Sequence, residues 1–278
     1  MALQTKDLLD LFSSARKLSL RIAWVAAVFS LTPNVSGQEA VSSLSYRFLP
    51  KEVLRYQVET EGKVTLLGTK NGQELKLFSK AFLSAVLRTR EVDQENVAVI
   101  EAEIAEFKMV IKVNDQEVAR LPPLTEKSKL IKVGRTGIIP APVGREAVSP
   151  TNALAWNLLL SRIFPALPEG SVRVGSTWLG QVLFSHLERL PDPKTNSVAV
   201  RYTYLGRSPE AGAAQVMVET ETGAPGQIKG KILFGDGHLI LEETSGVLDF
   251  KQKLFSPEKG LIEVTTKGTL FSRAVLLP

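Results

Sequence analysis

The residues that could do chemistry are few, and each has a structural use close at hand. His238 lies beside Asp236 and near Glu242 and Glu243, a set that could be drawn as a metal cluster. Asp236-Gly237, however, falls where a hairpin tip is expected, and Asp-Gly there serves the turn. His186 is near Glu188 but far in sequence from a suitable serine, so a nucleophile–base pair has no local support. Ser256 and Lys259 have the Ser-x-x-Lys spacing of an acylating serine, yet that motif needs the serine at a helix start, and here a turn between strands is expected. The run Glu91, Asp93 and Glu95 could collect calcium, but it lacks the ligand order of a calcium loop and reads as a solvated hairpin. Glu101, Glu103 and Glu106 read as the wet face of a strand; paired acids for glycoside hydrolysis would have to meet in three dimensions. No nucleophile elbow, phosphate-binding loop, dinucleotide fingerprint or His-Glu-x-x-His motif occurs.

Composition narrows the chemistry further. The 278 residues include no cysteine and two histidines, which removes disulfides, thiolate nucleophiles and zinc ribbons and leaves little for imidazole catalysis. The reading is therefore of a non-enzymatic protein with no cofactor and no metal site, an extracytoplasmic hydrolase being the last alternative.

The elements begin after a leader. Residues 1–21 carry Lys6, Arg16, Lys17 and Arg21 against Asp7 and Asp10, then an apolar run covers 22–31, and Val35 and Gly37 are small residues suited to a cleavage site. This is the order of a secretory signal peptide over 1–37, with the mature chain starting at Gln38, and the apolar run is too short to span a bilayer. An uncleaved anchor is the alternative. Without the leader the net charge falls from +5 to about +3, too balanced to point to nucleic acid. No later stretch reads as a transmembrane helix, so the expected location is the periplasm, the cell surface or the medium.

Beyond the leader, period-2 alternation dominates. Residues 53–60 alternate Leu54, Tyr56 and Val58 against Arg55, Gln57 and Glu59, with 63–67 following a turn at Gly62. Asn71-Gly72 signals a hairpin, and 75–90 a long strand. In 97–113 the apolar parity flips: Ala98, Ile100, Ala102 and Ile104 precede Phe107, Met109, Ile111 and Val113. A strict two-residue period changes phase on one buried face only if a residue is inserted, which predicts a β-bulge near Ala105 in a bent strand.

Seven of the fifteen prolines fall within 122–168, marking a connector at 141–170 between an N-terminal β half (44–140) and a C-terminal meander (171–278) that pack as one unit. Ser149-Pro150 fits a helix start, and a helix over 152–164 would put Trp156, Leu159, Leu160, Ile163 and Phe164 on one side and Asn157 and Ser161 on the other. The meander reads as strands at 178–185, 197–205, 215–222, 227–234, 238–243, 247–254 and 261–273. The fold class is all-β, a strongly curved antiparallel sheet, half-barrel or sandwich, with one covering helix.

Local patterns support that class by likeness. Leu167, Pro168, Val172, Gly175, Ser176, Thr177 and Trp178 resemble the V-x-x-G-D/S-S/T-W strand entry of exported bacterial proteins of uncharacterised function. Gly230, Phe234, Gly237 and Leu239 are similar to their hairpin, and Phe48, Leu54 and Tyr56 to their opening strand, without its glycine. The resemblance implies a half-barrel like those of lipoprotein carriers and brings no catalytic residues with it. A curved sheet under an apolar helix can hold a lipid or other hydrophobic ligand if the helix is a lid, with Trp156, Leu160, Ile163, Phe164, Ile100 and Ile104 against the ligand. If the helix is a fixed plug, these residues are plain core, and the protein binds an envelope protein or serves as a structural or assembly subunit of an envelope complex.

Overall fold

A computed structural model describes residues 42–68, 74–117, 122–139, 149–183, 197–209, 212–221, 226–256 and 260–278. The leader, the Gln38 start, the Asn71-Gly72 turn, Pro257 to Lys259, and His186 with Glu188 lie outside the described residues.

The strands in chain order are β1 (Ser42–Ser43), β2 (Val53–Gly68), β3 (Glu74–Val92), β4 (Ala98–Val113), β5 (Gln116–Glu117), β6 (Ser128–Gly134) and β7 (Gly137–Ile139). After the single described helix, α1 (Pro150–Ile163), come β8 (Ser171–Val172), β9 (Thr177–Leu183), β10 (Ser197–Arg207), β11 (Ala214–Thr220), β12 (Gln227–Gly235), β13 (His238–Ser256) and β14 (Gly260–Leu277). Twelve of the strands make one antiparallel sheet in the order β7-β6-β4-β3-β2-β14-β13-β12-β11-β10-β9, with β5 beside β4. The sheet does not close into a barrel. It curls instead: α1 touches both β3 and the edge strand β9, seven places apart.

Register identifies the inner face of the curl. One inward rung runs Met109, Ala81, Thr60, Ser272, Thr244, Gly230, Val218, Tyr202, Trp178 across nine strands, because directly opposed residues share a face. The concave side leaves little room, and some inward positions tolerate no Cβ. A Cβ on Gly180 would lie 2.3 Å from the Tyr202 ring. Gly62 belongs to the same inward set, opposite Ser79 and Leu270, so β2 runs straight through it. The turn expected there is absent because Gly62 is held extended by a paired strand on either side. The strands expected at 238–243 and 247–254 likewise merge into β13.

The parity flip in β4 is resolved by insertion. Ala85 opposes Ile104 while Ser84 opposes Glu106, so Ala105 is the extra residue. Ile104 and Phe107 therefore both point inward, opposite Ala85 and Leu83.

Near residues 42–52 the chain crosses one end of the curl. Here β1 pairs with β8, and Tyr204 donates its hydroxyl to Ser42 Oγ at 3.1 Å. The Tyr46 N–H donates to the Arg135 carbonyl at 2.9 Å, and its hydroxyl donates to the Pro165 carbonyl at 2.9 Å. The Arg47 N–H donates to the carbonyl of Gly237 at 3.1 Å, where φ is +85° and a Cβ would strike Arg47. Tyr46 also meets Phe164 and Phe234 edge-on. The strap thus fastens both limbs of the sheet to each other at this end.

Candidate functional site

The concave face and the helix seated in it gather apolar and charged groups away from solvent. α1 begins where Ser149 Oγ accepts from the Asn152 N–H and Pro150 occupies the first turn, needing no amide partner. From Thr151 to Ile163 only Ala153, Asn157, Leu160 and Ser161 escape burial. At 100° per residue these four span an arc of about 100°. The rest of the circumference is packed, a wider buried face than a covering helix requires.

All six residues singled out as ligand contacts converge here. Trp156, Ile163 and Phe164 are buried on or just beyond α1, Ile100 and Ile104 are buried on β4, and Leu160 is half-buried at the edge of the helix's open arc. They pack in one continuous core with Tyr46, Tyr56, Val58, Leu83 and Tyr204.

A buried ion pair tethers the helix. Arg162 Nη1 donates to Glu242 Oε1 at 3.1 Å, with the two side chains 6% and 5% exposed. The hydroxyls of Thr244 and Ser272 donate to the same carboxylate at 3.0 Å and 3.4 Å. Tyr202 is close by, and burial together with the Glu242 charge pushes its phenol up to about 12, opposed by Arg162. Burial and the Glu52 charge likewise raise Tyr56, whose hydroxyl donates to the Leu239 carbonyl at 3.0 Å. Burial also holds Tyr46 well above the ordinary phenol range. This network was missed in the sequence. Its signal was parity: Glu242 falls in step with Thr244 and Leu248 on the inward side of β13, and Arg162 falls between Leu158 and Ile163 on the helix.

The acidic residues near His238 scatter. Glu242 points inward to Arg162, Glu243 points outward toward Lys231 on β12, and Asp236 holds the hairpin turn at φ +52°. His238 Nε2 instead meets Glu52 Oε1 at 3.0 Å, and its ring packs against Phe48. No three His, Cys, Asp or Glu side chains gather among the described residues. Asp93 Oδ1 accepts from the amides of Glu95 and Val97 and so builds the β3–β4 turn. Glu101 and Glu103 pair across strands with Arg90 and Arg88 on the outer face.

Away from the strap, the long central strands run past the helix, and their inward residues lose its cover. Leu66, Leu77, Phe107, Met109, Ile111, Val113 and Phe250 are half-buried there, and Leu75 is exposed. Opposed pairs (Leu66 with Leu75, Leu77 with Val113, Ala81 with Met109) place them on one concave surface, an apolar trough.

The class so defined is an open, curled antiparallel half-barrel plugged by one helix, with an apolar trough beyond the plug. No family model matches the chain, and no curated protein matches it. Among solved structures it is similar to one described as "Lipid-protein interactions in lipovitellin", at 13% identity and a TM-score of 0.35 over 84% of this chain. The chain spans 26% of that protein's length. It is also similar to DynF from the dynemicin biosynthesis pathway of Micromonospora chersina, at 10% identity and a TM-score of 0.25, covering 88% of this chain and 89% of that one. Both scores are too low to bear on function. Among the described residues no helix is long and apolar enough to cross a membrane.

Proposed function

We propose that the protein is an exported, non-enzymatic β-domain of the cell envelope that holds a hydrophobic ligand, a lipid or another acyl-bearing molecule, on its concave face. The observation that carries this reading is the trough: eight apolar side chains from β2, β3, β4 and β13 share one concave surface and are left only half-covered or exposed. Concave apolar surface in a half-open sheet is where such ligands bind. In this reading the helix stays in place, because drawing it out would break the Arg162–Glu242 pair and uncover most of its circumference. Trp156, Leu160, Ile163, Phe164, Ile100 and Ile104 then form the packed floor against which the trough ends.

The fixed plug also favours a second reading, a structural or assembly subunit of an envelope complex, in which a partner protein covers the trough. Native mass spectrometry of protein taken from its own envelope separates the two. The ligand reading expects co-purifying lipid and uptake of added fluorescent lipid, both lost in Leu77→Asp and Met109→Asp. Bare protein that takes up no lipid overturns it, and a stable protein partner supports the second reading. Intact mass of the same sample tests the start at Gln38.

A further inference from the structure

The trough is apolar toward its outer mouth but not at the end nearest the helix. There three hydroxyls stand side by side on one inward rung: Thr60 on β2, Ser272 on β14 and Thr244 on β13. Ser272 and Thr244 are committed to the Glu242 carboxylate. Thr60 is left over. Its neighbour on β3 is Ala81, which in turn opposes Met109 of the trough. One rung further out, Ser79 faces inward between Gly62 and Ile111. Thr60 is 5% exposed and Ser79 8%, and no hydrogen bond among the described residues reaches either hydroxyl. Trp156, on the helix against which the trough ends, also has its indole N–H buried without a partner among the described residues. Buried polar groups are costly to leave unpaired, so three of them at one end of an apolar channel fit the polar end of a ligand.

We propose that the ligand lies in the trough head-inward at Thr60 and Ser79, and that its head is uncharged and oxygen-bearing, the ester or alcohol of a single-chain lipid. The inference rests on the lipid-holding reading above and names the class of lipid. The unpaired groups set the chemistry of the head: the two hydroxyls donate or accept and the indole N–H only donates, so the head must offer an acceptor oxygen. The buried charges beside the row, Arg162 and Glu242, neutralise each other. A carboxylate or phosphate head would lose its water there and gain no counter-charge. The tail has a path outward. From Thr60 to Leu66 the strand extends about 20 Å, and the inward positions beyond Gly62 and Ser79 are Val64, Leu66, Leu77 and Leu75. Thr266, the inward hydroxyl opposite Leu66 at the outer mouth, already has a partner.

The test is displacement of a bound fluorescent acyl probe by monopalmitin, hexadecane or palmitate, at mildly alkaline pH and on the full chain. Monopalmitin should displace the probe roughly tenfold better than hexadecane, from its added hydrogen bonds. It should exceed palmitate by at least roughly tenfold, because the anionic head cannot be buried unpaired. The combined Thr60→Val and Ser79→Ala variant should lose the margin over hexadecane, weakening roughly tenfold for monopalmitin while hexadecane is unchanged. Thr65→Val with Thr269→Val, on the outer face of β2 and β14, should change neither. Thermal melting checks that both variants remain folded, and the order of the three competitors on the unaltered protein needs no variant. Equal displacement by all three, or an advantage to palmitate, overturns the proposal and leaves the lipid-holding reading standing. So does monopalmitin binding that the Thr60 and Ser79 variant leaves untouched, since the head would then lie elsewhere. If no fluorescent acyl probe binds, the lipid-holding reading fails and the head-inward placement fails with it.

Discussion

Arg162 and Glu242 carry opposite charges into a region where neither has solvent to fall back on, and each is worth keeping only while the other is present. Glu242→Gln or Arg162→Ala alone should lower the unfolding free energy by about 3–5 kcal/mol in urea titrations. Arg162→Met combined with Glu242→Leu should recover most of that loss, because the apolar pair removes both desolvation costs. If the double variant is as unstable as the singles, the pair is not what holds the helix. At this scale the sequence was a partial guide. It put Trp156, Ile163, Phe164, Ile100 and Ile104 on buried faces correctly, since apolar periodicity reports burial. It missed the ion pair because periodicity scores charged residues as surface, and the partners are 80 residues apart. It also could not show that the acids around His238 separate, since neighbours in a strand point to opposite faces.

At the scale of elements the most legible feature was the break in alternation in β4. A period of two cannot slip without consequence, so the flip between Ile104 and Phe107 announced the insertion at Ala105 that the register contains. Deleting Ala105 should remove the bulge and leave strict alternation, Ile104 inward, Glu106 outward and Phe107 inward, with the pairings to Ala85, Ser84 and Leu83 kept and only the local bend of β4 lost. We expect that deletion to keep a cooperative thermal transition by circular dichroism, at a cost of about 1–3 kcal/mol for the lost bend, whereas Ala105→Ser should shift stability by no more than about 0.5 kcal/mol. A deletion variant with no cooperative transition would mean that the bend at the bulge, and not the alternation on either side of it, holds β4 in place. The helix was legible in its start at Ser149-Pro150 but not in the extent of its burial. That depends on the sheet curling round it, a property of many strands together. The pairing on both sides likewise explains Gly62, which a local reading takes for a turn and the sheet holds extended.

The whole molecule was legible as all-β with one helix, and its strand order was not, because alternation marks faces and leaves neighbours open. One property of the whole does follow from its interior. Tyr46, Tyr56 and Tyr202 are all held in the neutral form by burial, so their folded pKa values lie above the unfolded value of 10.0. Their stabilising contribution is therefore complete below pH 10. Above it the unfolded chain ionises first, and stability falls by about 1.4 kcal/mol per pH unit for each phenol, ending near pH 12 for Tyr202. Tyrosinate absorbance should rise together with loss of ellipticity between pH 10 and 12; full ionisation of a still-folded protein would contradict the burial. The strand order has a consequence of its own. β2, the first long strand, lies beside β14, the last, with Arg55 opposite Leu277 in the middle of the sheet. That seam cannot form until β14 has followed everything between the two strands, and closing so long a loop places the molecule among slow folders. Under the export proposed above this arrangement keeps the chain open for longer, because its two halves cannot be stitched together before β14 has arrived.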